Sequence, residues 1–365
     1  MADFVRPIER RQVLKGMVIA ASAPALSAMP VGNARAGDFD DKTLRVGTWG
    51  GSWRDSLEKA VGAKVEARGA KIEYLLDSPT GNAAKLIAAR GRAAPLDNME
   101  GAPELVPSLV EAKLIQKLDF AALPNAAALL PLARAYYSVI TLATWDGVVY
   151  NSAKFQELGL PAPKRYRDLI NPKIAGRVAF PDINHTQHWN AVAGLAYEAG
   201  GDETSLTKST DLINQMQPAY FYSTSTDLAT KFGSGEIWAA PWHAGFVVRL
   251  KRTGAPVAIA YTHFGPKYGA LWPVLHHIIG GSSNTMIAEA FLDTYLSPEA
   301  QFEHSKFTGS LPMNPDARKR LSTDPENKDV LMFSDQDLNN AYLVDFKKVD
   351  LPQWREAWNR DVKRS

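Results

Sequence analysis

The stretch TLRVGTWGGSWRDSLEKAV, Thr43 to Val61, runs from a strand, through two tryptophans wrapped around two glycines, into a helix. Leu44 and Val46 alternate inward on the strand. Leu57, Ala60, Val61 and Val65 share one face of the helix, and Gly69 is placed to close it. Ser52, three residues before Asp55, carries a capping-box signal. The same grammar returns along the chain. KIEYLL (71–76) reads as a strand, SPTGN (78–82) as a turn, and AAKLIAARG as a helix closed by Gly91. RVAFPD (177–182) is a strand that leads into a helix through Trp189, Val192 and Leu195. EIWAAPWHAG (236–245) is a strand, a turn at Pro241, and a helix through Phe246, Val247 and Leu250. Strands alternating with helices imply parallel sheets covered on both faces. Two such blocks, near 43–140 and 174–270, imply an α/β fold of two lobes joined by crossing strands.

The first 36 residues follow a different pattern. Arg10 and Arg11 precede a mildly apolar run, MVIAASAPALSAM, and a small-x-small cleavage pattern ends at Ala36. This is an export signal of the twin-arginine type, removed from the mature protein. Its loss takes five basic and two acidic residues, so 41 basic and 39 acidic side chains become 36 and 37, and the formal charge moves from +2 to −1. A near-neutral chain offers no field for nucleic acid or a membrane surface. No cysteine occurs, which excludes disulfides, thiolate metal sites, a cysteine nucleophile and an amino-terminal lipid anchor. An exported, disulfide-free protein without a spanning segment points to a Gram-negative periplasm.

In open α/β sheets ligands lie beyond the carboxyl ends of strands. The expected ends place Trp49, Gly50, Gly51 and Ser52 after the first strand, Glu100 and Gly101 after APLDNM, and Thr144, Trp145 and Asp146 after VITLA. They place Asp182, Asn184 and His185 after RVAF, Trp242 and His243 after EIWAA, and Trp272 after the YGAL turn. Seven of nine tryptophans fall between 49 and 272, mostly at these ends, and a tryptophan on a turn needs a cover. One cover is packing between lobes. The other is a ligand cleft walled by indole faces, which hold apolar groups and attract cations. Gly50 and Gly51 let backbone N–H groups approach a ligand. Asp182 and Glu100 could face one another as paired carboxylates. His185 and His188 sit three apart and His276 adjoins His277, but neither pair has an acidic neighbour at zinc-motif spacing. No nucleophile motif occurs.

Longer stretches resemble the periplasmic solute-binding proteins of ABC importers. They are GVVYNSAKFQELGLPAPKRYRDLINPKIAGRVAFPD (147–182), DLATKFGSGEIWAAPWHAG (227–245), SSNTMIAEAFLDTYLSPEAQ (282–301) and GSLPMNPDA (309–317). The nearest likeness is to the spermidine/putrescine-binding branch. Its cleft aromatics fall on Trp49, Trp242 and Trp272, and its second-lobe aspartate on Asp182. A further aspartate of that branch falls on Val274, and its glutamate falls among neutral residues at 185–187, so the aromatic box survives with part of its anionic half missing.

The resemblance implies a signal peptide over 1–36, a first lobe over 37–145, a second over 146–272, and a return to the first lobe with carboxy-terminal helices over 273–365. It implies a monomeric, soluble periplasmic protein without cofactor or metal. Such a protein captures a small polar nitrogenous ligand, cation or zwitterion, between lobes and hands it to an inner-membrane ABC permease. Trp49, Trp242 and Trp272 are the expected walls. Asp182 and Glu100 are the expected acidic groups, and Gly50, Ser52, Thr144 and His185 the polar anchors. Two alternatives stay open: a periplasmic enzyme dependent on His185, and a ferric-iron carrier using Tyr220 and Tyr222.

Overall fold

The computed structural model describes residues 37–90 and 92–363; the leader read over 1–36 and the helix-closing Gly91 lie outside the described residues. The chain divides into two compact units. The first comprises the described residues up to Thr141 with Leu275–Glu303 and Met313–Pro315. The second comprises Leu142–Val274, His304–Pro312 and the described residues from Asp316 onward. The return to the first unit is thus narrower than 273–365, because the last helix packs into the second.

In the first unit, strand Thr43–Thr48 lies between two parallel neighbours, Lys71–Leu76 and Asn98–Gly101. Asn98–Gly101 is flanked in turn by the antiparallel stretch Leu275–Ile278. Leu44 and Val46 are fully enclosed, as the alternation requires. The helix that follows runs Ser52–Leu57, continues through a π-helical turn at Glu58–Gly62, and ends with Ala63–Glu66. Leu57, Ala60, Val61 and Val65 bury the expected face, and Thr285–Leu296 packs against this stretch. Gly69, at φ +98°, closes it by donating its N–H to the Glu66 carbonyl at 2.9 Å. The expected capping box at Ser52 does not form. Gly51 occupies the cap position at φ +62°, a left-handed conformation that favours glycine, and Ser52 is already the first helical residue. SPTGN is not a free turn either. Ser78 caps helix Pro79–Ala88 by accepting the Gly81 N–H at 3.1 Å, with Pro79 in the first turn.

The second unit is built on the latter part of one long strand, Ser138–Asn151. It pairs antiparallel with Ala239–His243 and with Val257–Ala260. A short parallel pair, Ala179–Pro181 with Tyr220–Tyr222, joins Ala239 through a single parallel bridge from Val178. The sheets are therefore mixed rather than wholly parallel. Helix His188–Glu198 is buried along most of its length, and helix Leu351–Asp361 brings Trp354 and Trp358 against its start. His188 joins the two: its Nδ1 lies 3.0 Å from the Pro181 carbonyl, and its Nε2 lies 2.8 Å from Trp354 Nε1. Indole N–H can only donate, so His188 accepts at Nε2 and donates from Nδ1. No helix among the described residues is long and apolar enough to cross a membrane.

Candidate functional site

Two strands run further than punctuation in the sequence indicates, and this relocates several expected site residues. Pro241 is not a turn. It sits inside Ala239–His243, opposite Val148, where beyond Ala239 the strand has one partner only, so the missing N–H breaks no ladder. Trp242 is consequently a core residue. It is 1% exposed, with Phe246 stacked at 4.5 Å and 20° and Phe232 at 5.5 Å and 26°. Both phenyl rings lie nearly parallel to the indole, so Trp242 is not the open wall expected of it. His243, also in the strand, is buried beside Phe246, and burial with nearby Arg249 pushes its basicity well below the ordinary histidine value. The strand expected to end at Ala143 continues to Asn151, which encloses Thr144 and Asp146. Trp272 lies within Ala270–Ile278, 2% exposed and edge-on to Phe346 at 6.1 Å.

Glu100 is also a strand residue, in Asn98–Gly101, and 1% exposed. Its carboxylate is enclosed by donors of its own unit. Trp53 Nε1 lies 2.9 and 3.1 Å from the two oxygens, Tyr295 OH lies at 3.3 Å, and Thr48 Oγ1 and the Trp49 backbone N–H complete the shell. Burial still outweighs these bonds and raises the acid to about 7. Glu100 therefore anchors the turn that carries Trp49 instead of facing a solute. Above it, Trp49 is half-buried and edge-on to Trp53 at 5.2 Å, Gly50 and Gly51 are exposed, and Ser52 is half-buried without a cap bond.

In the second unit Asp146 plays a parallel part. Thr144 Oγ1 donates to it at 3.0 Å and Asn190 Nδ2 at 2.7 Å, while Gln187 Nε2 reaches Thr144 at 3.5 Å. Burial raises this acid too to about 7. Thr144 is thus a support for Asp146 and not an open anchor. Asp182 and His185 do lie past a strand end, on the turn that follows Ala179–Pro181. Asp182 is half-buried, and its Oδ1 takes Asn184 N and Nδ2, each at 3.1 Å. His185 packs on Tyr222 at 4.6 Å; its Nε2 lies 3.0 Å from Ser225 Oγ, and its Nδ1 receives the Gln187 N–H at 3.3 Å. Burial, reinforced by His188, lowers His185 to about 3, so the ring is neutral near pH 7. Ser225 also receives the Trp242 indole N–H at 3.0 Å. Nothing in the sequence singles out Ser225, since the residue contacting it from 40 positions away is a histidine of another turn.

The remaining candidates do not converge. His188 has both nitrogens engaged, and His276, enclosed by Phe291 and Tyr295, turns away from His277, whose Nδ1 meets the Tyr137 carbonyl at 2.8 Å. Tyr222 donates to the Pro241 carbonyl at 2.6 Å while Tyr220 donates to Asp227. Among the described residues no three histidine or acidic side chains are placed to share a metal ion.

The family model for bacterial extracellular solute-binding proteins matches residues 58–333. Among solved structures, an ABC transporter from Clostridium perfringens superposes with a TM-score of 0.68 at 25% identity, covering 88% of this chain and 100% of that one. The binding protein MotA of A. tumefaciens B6, solved with glucopine, gives 0.69 at 18% identity, covering 87% and 98%. The Atu4243–GABA receptor gives 0.70 at 18% identity, covering 89% and 99%. The last two likenesses bear on the fold. No curated protein matches the chain. A match over most of the length, on a fold of two α/β units with polar turns beyond their strand ends, makes this chain a member of the bacterial extracellular solute-binding protein family.

Proposed function

We propose that the protein is the solute-binding component of an ABC importer, acting in the periplasm after export by its Arg10-Arg11 leader. It captures a small nitrogenous zwitterion and presents it to an inner-membrane permease. No bond is made or broken in this reading. The observation that carries it is the state of the two carboxylates once expected to act together. Glu100 is enclosed by four donor groups and raised to about 7, whereas Asp182 stays half-buried with hydrogen bonds at Oδ1 alone. One available carboxylate matches one ammonium group; a long polyamine needs an anionic partner at each end, since a buried unpaired ammonium is heavily penalised. The turn that holds Asp182 also brings neutral polar groups, which suit the other end of a zwitterion. Of two structurally similar proteins, one is solved in complex with glucopine and the other is described as a GABA receptor.

The test is a thermal-shift and calorimetric screen of γ-aminobutyrate, opines, amino acids, betaines, putrescine and spermidine. Saturable binding of a zwitterion without product, weaker in Asp182→Asn, is the expected result. Preference for spermidine, or turnover of any member, overturns the reading.

A further inference from the structure

We propose that Ser225 donates its hydroxyl hydrogen to an anionic oxygen of the bound solute, and so selects solutes that bear a carboxylate. The inference rests on the solute-capture reading above and names the chemistry of one end of its ligand. Its basis is the saturation of one oxygen atom. Ser225 Oγ lies 3.0 Å from Trp242 Nε1 and 3.0 Å from His185 Nε2. An indole N–H has no acceptor capacity, so the first bond runs toward the serine. The second direction is fixed by the far side of the imidazole. The Gln187 backbone N–H, again only a donor, points at His185 Nδ1, 3.3 Å away. In a neutral ring that nitrogen is then the acceptor and Nε2 carries the hydrogen.

Ser225 Oγ therefore accepts twice, both lone pairs are engaged, and its own hydrogen is the one capacity left. No acceptor for that hydrogen occurs among the described residues. The side chain is half-buried, so the hydrogen reaches an acceptor from outside the protein. Two N–H donors behind the oxygen polarise it and strengthen the outgoing bond. The backing is closely packed, because Trp242 stacks with both Phe232 and Phe246 and His185 rests on Tyr222. A forced donor rejects an ammonium, which can only donate, and favours a carboxylate. Asp182, two residues before Asn184 on the turn that carries His185, has the opposite character. The two together read the two ends of a zwitterion.

The experiment compares matched pairs on the full-length mature protein: γ-aminobutyrate with its amide, arginine with agmatine, and ornithine with putrescine. The expected result is that the acid of at least one pair binds about tenfold or more tighter than its partner. Ser225→Ala brings that ratio to within about threefold, and Ser225→Thr, which keeps the hydroxyl, restores it. A serine of structural importance only would change the melting temperature and both affinities of a pair alike, leaving the ratio intact; that result overturns the inference. Wild-type protein that binds the amines or amide as tightly as the acids overturns it too, with solute capture left standing. Failure of every pair to bind overturns both. Where Ser225→Ala does not fold, the wild-type ratio and that of Ser225→Thr still decide.

Discussion

Trp49 lies just past the end of strand Thr43–Thr48 and Trp242 lies inside strand Ala239–His243, and their surroundings differ in kind. Trp242 has two phenyl rings stacked nearly parallel to it and its N–H held by a serine. Among the described residues Trp49 has one aromatic neighbour, Trp53, met edge-on, and it stands half-open beside two exposed glycines. The difference comes from one residue close to each in sequence. Gly51 adopts φ +62° and turns the chain out of its strand within three residues of Thr48. Pro241, placed where a ladder bond is absent, lets the strand run on and carries the tryptophan inward. A tryptophan near a chain break is thus a wall or a core according to whether the break occurs.

The most severe way to break this contrast is Trp242→Ala. Removing a stacked, hydrogen-bonded indole costs about 3–5 kcal/mol and leaves the Ser225 and His185 pair without its third member. A fall of that size in the urea-unfolding free energy of the second unit is expected, with loss of binding secondary to it; a variant as stable as wild type that binds weakly would make Trp242 a solute contact.

A second test addresses the floor beneath Trp49. Glu100 has a folded acidity near 7 against an ordinary 4.5, so between those values the native state holds more protons than the unfolded one. Its contribution to stability is then present below about pH 4.5 and is lost as pH rises toward 7. Glu100→Gln lacks this loss. The free-energy difference between variant and wild type should shift in favour of the variant by about 3 kcal/mol from pH 4.5 to pH 7.5. The buried histidines, which titrate in the opposite sense, are common to both proteins and cancel. Parallel urea midpoints across that range check it, and a flat difference would place Glu100 in contact with water.

Smaller effects sharpen the comparison. Trp49→Ala gives up one edge contact and half an exposed face, so stability should fall by about 1 kcal/mol. Solute affinity is expected to drop about tenfold, because the indole is presented and not packed. Calorimetry on a well-folded variant measures both. Ser52→Ala should change stability by less than about 0.5 kcal/mol, since Ser52 caps nothing. Ser78→Ala, which removes a true cap, should cost about 1 kcal/mol. Equal losses at the two serines would restore the capping box.

The α/β character of both units, the inward alternation at Leu44 and Val46, and the closure at Gly69 are legible in the chain because local periodicity and a glycine conformation decide them. The exposed turn at Trp49–Ser52 and the turn at Asp182–His185 are legible for the same reason. Glu100, Thr144 and Trp242 are misplaced by one shared cause: a strand end is inferred from a proline, a polar residue or a glycine, while partners distant in sequence keep the strand going; Trp272 is misplaced because a strand starts within the YGAL stretch. Thr144 and Asp146 can lie mid-strand because Gln187 and Asn190, just before and within helix His188–Glu198, satisfy them from 40 or more residues later. Ser225 was silent since its importance derives from two donors that meet only in space.

The clasp at His188 has a further consequence. Trp354 and Trp358 complete the packing around Phe180 and His188, with Trp358 4.7 Å from the imidazole and 6.4 Å from Phe180. Ribosomes deliver the chain from its amino end, so the early segments of the second unit wait, partly uncovered, until helix Leu351–Asp361 has been made. Its maturation is timed by the arrival of that distant helix, and a holding chaperone would find its substrate in that interval.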